Sequence, residues 1–148
     1  MNDMIDYTRS AARVLAANFT LSIVYEAYRA TAKGGTSRHD SVEGFVTQLP
    51  LYAVAALVIG LLFARRRHAA WIGLAFCAVV IVISIAYYNP EIMLERQPGI
   101  IDWIEDLVFT GLLFVAATQL LSHISSARRS ASEIAQSCAV PAELAGLS

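Results

Sequence analysis

Two stretches of this chain, 45–64 and 69–90, run for 20 and 22 residues without one charged side chain. At a rise of about 1.5 Å per residue, about 20 apolar residues in a helix cross the roughly 30 Å hydrocarbon layer of a bilayer. Each run is therefore long enough to span. A third uncharged run, 107–127, qualifies once its more polar end after Leu121 is trimmed. A buried helix of a soluble protein shows one apolar stripe, whereas 54–63 and 75–83 are apolar almost all round. The runs predict membrane-spanning helices.

The segment 11–32 is interrupted by Glu26 and Arg29, which leave an uncharged stretch of only 12 residues, 14–25. Ala30 and Ala32 would suit a signal-peptide cleavage site, but the flank before the apolar stretch carries Asp3 and Asp6 as well as Arg9 and Arg13. The segment is read as a first transmembrane helix. The expected fold is all-α: a polytopic, antiparallel four-transmembrane-helix bundle over 1–129, with helices at about 11–32, 45–64, 69–89 and 103–125. The remainder, 130–148, is expected to be a mobile cytoplasmic tail or weak surface helix, because it is rich in small polar residues and contains Pro141.

Loop charge sets the orientation. Lys and Arg in short loops stay on the cytoplasmic side. Seven basic residues (Arg9, Arg13, Arg65, Arg66, Arg67, Arg128, Arg129) flank one side, and four (Arg29, Lys33, Arg38, Arg96) the other. Both termini are thus expected in the cytoplasm. Ten of the eleven basic residues are Arg, which suggests a GC-rich bacterial genome and hence a bacterial inner membrane.

Local signals place the boundaries. Gly34 and Gly35 are expected to stop the first helix, and 36–43 to form the outer loop. Pro50 falls near the expected start of the second helix, where its missing N–H matters least. Asn89 and Pro90 are expected to close the third helix and cap a short one over 90–96, with a turn at Pro98 and Gly99. Asp102 and Glu105 have N-cap and N3 spacing at the start of the fourth helix. Trp103, Tyr87 and Tyr88 mark the outer interface and Trp71 the inner one.

Several chemistries lack their residues. With 16% charged residues, against roughly 25% in an average soluble domain, and a net charge of -1, no positive field exists to hold nucleic acid. Cys77 and Cys138 are far apart, so one copy assembles neither a disulfide framework nor a CxxC site. His39, His68 and His123 sit in loops or at a helix end, which does not suit a transmembrane haem. No phosphate-cradling loop, G-x-S-x-G or H-E-x-x-H is present, and no inverted repeat. No cofactor, metal or catalytic residue is expected.

Each expected span carries one polar stripe. The stripes comprise Asn18, Ser22, Tyr25, Glu26 and Arg29; Gln48 and Tyr52, continuing through Ala55, Ala56 and Gly60; Gly73, Cys77, Ser84 and Tyr88; and Asp106, Thr110, Ala117, Thr118, Ser122 and Ser125. Lipid cannot satisfy such groups, so the stripes should face one another. The strongest polar side chains, Glu26, Arg29, Gln48, Tyr52, Ser84, Tyr88, Asp106 and Thr110, share the outer half and form the candidate ligand site. Glu26 or Asp106 is expected to pair with Arg29; two carboxylates for one Arg would leave charge for a proton or cationic ligand. The acids Glu91, Glu95, Asp102, Glu105 and Asp106 otherwise read as a solvated rim and helix caps.

A four-span arrangement with a glutamate in the first span also describes exporters of the small multidrug resistance family. Here the glutamate lies near the outer end beside Arg29, and no longer motif is shared, so no family is assigned. The expected function is that of a small, non-enzymatic membrane protein. It would serve as an accessory subunit or lipid- or partner-binding factor in the bilayer, alone or as a homodimer. The alternatives are a proton- or cation-coupled small-molecule transporter and, last, a lipid-modifying enzyme.

Overall fold

The structure is a computed structural model, and it describes residues 3–32, 41–66, 68–93 and 99–145. These residues form four helices: α1 (Asp3–Ala32), α2 (Val42–Phe63), α3 (Ala69–Ile83), which runs on as a π-helical segment (Ser84–Met93), and α4 (Ile100–Ala145). Three helical stretches are long and apolar enough to cross a membrane: Val42–Phe63, Ala69–Pro90 and Ile100–Ile134. Packing follows a ring, in which α1 lies against α2 and α4, and α3 against α2 and α4.

The boundaries differ from the sequence expectation in five places, the first being that α1 begins at Asp3 rather than near 11. The second helix starts at Val42 rather than near 45, because Ser41 acts as its N-cap and its hydroxyl accepts the Gly44 N–H at 3.0 Å. Pro50 consequently sits inside α2 and not at its start. The third helix does not close at Asn89. Instead it widens into the π segment, with Pro90 inside it, through Met93, so no separate helix begins at Pro90. The fourth helix begins at Ile100, with Gly99 in the capping position. The Gly99 carbonyl accepts the Trp103 N–H, while Asp102, at N3, accepts the Gly99 N–H at 2.6 Å. Asp102 is therefore the reciprocal acid of the cap rather than the cap itself. Helix α4 then runs 46 residues to Ala145, past the expected end near 125 and through the segment expected as a tail or weak surface helix. Gly34, Gly35, Pro98 and residues 94–96, like the Glu91 side chain, lie outside the described residues.

One end of the molecule, here called lower, holds the α2–α3 hairpin; the upper end holds the close of α1 and the start of α4. The lower half is packed with small and branched apolar side chains: Ala11, Ala12, Leu15, Ala55, Val58, Leu62, Ala69, Cys77, Leu113, Ala116 and Leu120 form one buried cluster. Gly73 allows α3 to approach its neighbours. A methyl group there would stand 3.1 Å from Leu120 and 3.2 Å from Leu62. The hairpin turns at Arg65, whose φ of 52° is the left-handed conformation common just past a helix end. Near this end the Arg128 guanidinium lies 5.2 Å above the exposed Trp71 ring.

The outer surface suits lipid. Val54, Leu57, Val79, Val82, Leu107 and Phe114 are all exposed. Exposed hydroxyls of Thr31, Thr47, Thr118 and Ser126 donate to backbone carbonyls three or four residues back. Four members of the expected inward stripes, Ala56, Gly60, Thr118 and Ser122, prove to be exposed.

Candidate functional site

The polar side chains of the upper half fall into three groups, which together tie all four helices. The first is an ion pair. Arg29, 3% exposed, bonds Asp102, 6% exposed, and the Tyr25 hydroxyl donates to the same Asp102 oxygen. The Asp102 carboxylate thus receives Arg29 and Tyr25 from α1 and its own helix cap at Gly99. This corrects the expected partner of Arg29, which was Glu26 or Asp106. From sequence Asp102 belongs to the helix cap and the solvated acidic rim, because a cap accounts for an acid at that position without any partner from another helix.

The second group centres on Asp106, which is buried. Its partners are neutral. The Ser84 hydroxyl donates to it at 3.5 Å, and the Asn89 amide nitrogen, turned toward it, lies 3.1 Å from both carboxylate oxygens. Ser84 and Thr110 hydroxyls stand 3.1 Å apart and link α3 to α4 just beside it. Asn89 reaches Asp106 from the π segment. No sequence signal short of the tertiary arrangement pointed to Asn89.

The third group belongs to α1. Tyr88 donates to Glu26 at 3.3 Å, Ser22 and Tyr52 hydroxyls are 3.3 Å apart, and the Asn18 amide donates to the Phe109 carbonyl at 3.1 Å. The second Asn18 side-chain atom, Oδ1, is buried and has no partner.

Between these groups lies a chamber of about 80 Å³, with walls from every helix. Six of the eight residues singled out from the sequence line it: Glu26, Gln48, Tyr52, Ser84, Tyr88 and Asp106. The other two do not. Arg29 is held at Asp102, and Thr110 stands behind Ser84. The candidate ligand set from sequence lacks the apolar wall, made by Phe19, Leu51, Val80, Ile83 and Phe109, and also Ser22 and Glu105. Helical spacing already puts Ser22 on the inward stripe with Glu26, and Glu105 reads as a capping and rim acid, but an aromatic residue among so many apolar neighbours gives no separate signal.

Phe19 forms the floor. Its ring packs edge-on against Phe109 and Tyr52, with centroids 5.5 and 6.3 Å away, and tilted against Phe76 at 5.6 Å. The chamber is accordingly mostly apolar in its walls and carries its formal charge in Glu26, Glu105 and Asp106. Among the described residues no basic side chain lines it. Among the described residues no three His, Cys, Asp or Glu side chains come close enough to hold a metal ion.

No protein-family model, no curated protein and no solved structure matches this chain. Its function is argued from the chamber.

Proposed function

We propose that the chain is an antiparallel four-span membrane protein that binds a small molecule in the upper chamber and acts as a non-enzymatic accessory subunit. The observation that carries the reading is the chamber itself: a cavity walled by all four helices, with the buried carboxylate of Asp106 held by neutral donors. The membrane assignment of α1 rests on which way its polar residues face. Asn18, Ser22, Glu26 and Arg29 are buried, whereas Ala17, Thr20, Leu21, Ile23, Val24, Tyr28 and Thr31 are exposed and uncharged. Lipid around α1 would therefore meet an apolar face even though the helix as a whole carries charge.

Loop charge supports an orientation with the Arg65 end in the cytoplasm and the chamber toward the outside of a bacterial inner membrane. Packing below the chamber favours binding over transport. Phe19 seals the floor, and the lower half beneath it is apolar and close-packed around Gly73. A transporter would need a path through that half.

The test is side-specific labelling. In a background without Cys77 and Cys138, Gln48→Cys should react with a membrane-impermeant maleimide only from the face opposite the Arg65 hairpin. Leu113→Cys should react from neither. Labelling of Leu113→Cys from the hairpin face would reveal a lower path and establish the transporter reading instead.

A further inference from the structure

We infer that the chamber takes a small alkylammonium cation, with Asp106 as counter-ion and the aromatic rings around it as the wall against the alkyl groups; this rests on the chamber reading above. Charge decides the sign of the ligand. Among the described residues every formally charged side chain lining the cavity is a carboxylate, and the nearby Arg29 is engaged at Asp102, outside the lining. An anion would meet repulsion with no basic group to receive it.

Wall chemistry decides the kind of cation. Calcium wants six to eight oxygen ligands, and magnesium holds its own water shell. The cavity sets its carboxylates among the rings of Phe19, Tyr52, Tyr88 and Phe109, and among the described residues no three His, Cys, Asp or Glu side chains come close enough to hold a metal ion. An alkylammonium carries its charge on a weakly hydrated, apolar body, and aromatic faces attract such a charge. Ser84 and Asn89 occupy the Asp106 carboxylate with neutral hydrogen bonds, so its negative charge is met by dipoles alone and a monovalent cation balances it.

Size limits the ligand further. The chamber holds about 80 Å³ and is open on one side, so it seats one compact cationic group without enclosing a larger ligand. It fits a headgroup-sized cation of a few heavy atoms.

The experiment uses the full chain in nanodiscs, without its two native cysteines and with Gln48→Cys as reporter. Tetramethylammonium is the probe, tert-butyl alcohol the neutral molecule of similar shape, and sodium the inorganic control. Tetramethylammonium should slow maleimide modification saturably, while sodium and tert-butyl alcohol at equal concentration leave the rate unchanged. Asp106→Asn should weaken that protection about tenfold, as expected for a lost charge-assisted contact. Phe109→Leu, which keeps an apolar side chain but loses the ring, should weaken it about threefold and serves if the Asn variant does not fold. Equal protection by tert-butyl alcohol, or full protection retained in both variants, would overturn the cation and leave the chamber standing. A reporter that never reacts, with or without probe, would overturn both.

Discussion

The upper and lower halves of the molecule are held by different means. Above, helices meet through polar side chains: Arg29 and Tyr25 at Asp102, Asn89 and Ser84 at Asp106, Tyr88 at Glu26. Below, they meet through shape, with Gly73 against Leu62 and Leu120 among small and branched residues. In lipid neither half gains from expelling water between helices, so association depends on hydrogen bonds in one and close packing in the other. Polar contacts hold helices together across a cavity, where close packing by definition cannot. The half that leaves space is the half that must use polar side chains.

Substitutions that attack each half separately should break this contrast, and the largest effect belongs to Arg29. Arg29→Ala leaves Asp102 buried without its cation and should cost about 3–5 kcal/mol in reversible unfolding in mixed micelles. The double change Arg29→Met with Asp102→Leu should regain most of that loss, because it removes both charges together. A double variant as unstable as Arg29→Ala would mean that the pair contributes through its geometry and not merely through compensation of charge.

Below, Gly73→Leu inserts a side chain where even a methyl carbon would stand 3.1 Å from Leu120. Overpacking of this kind should cost about 1–3 kcal/mol in the same assay, with no change in Gln48→Cys labelling. Next is the Ser84–Thr110 link. Thr110→Val should cost about 0.6 kcal/mol, the average for interhelical hydrogen bonds measured in a membrane bundle. One effect has the opposite sign. Gly60 and Gly111 have open space where a Cβ would go, so alanine at either should stabilise its helix by up to about 1 kcal/mol. A loss at Gly60 or Gly111 would reveal a neighbour pressed against that face, such as a second copy of the chain.

How far the sequence reveals this arrangement depends on whether a feature is periodic or tertiary. The polar faces of the first and third helices are periodic, and Asn18, Ser22, Glu26, Gly73, Cys77 and Ser84 are buried as that spacing predicts. Spacing fails lower on α4, where Thr118 and Ser122 face outward, because a hydroxyl that bonds its own backbone needs no partner helix. The partner of Arg29 depends on how far one helix is offset along another, and no local pattern encodes that offset. Asp102 therefore reads as the N-cap, whereas Gly99 holds that position and Asp102, at N3, serves both the cap and Arg29. The π segment was equally illegible. An Asn–Pro pair reads as a stop, whereas a wider helical turn carries the chain past it and leaves Asn89 beside Asp106.

The Arg29–Asp102 contact joins residues 73 positions apart. At a synthesis rate of about 5–20 residues per second, the ribosome needs about 4–15 s to make the acid after the arginine has emerged. A newly made α1 spends that interval without the partner it will finally bury against. On the proposed four-span reading its entry into the bilayer is then the last step to be secured rather than the first, and a chain truncated before α4 should leave its N-terminal helix outside or degraded.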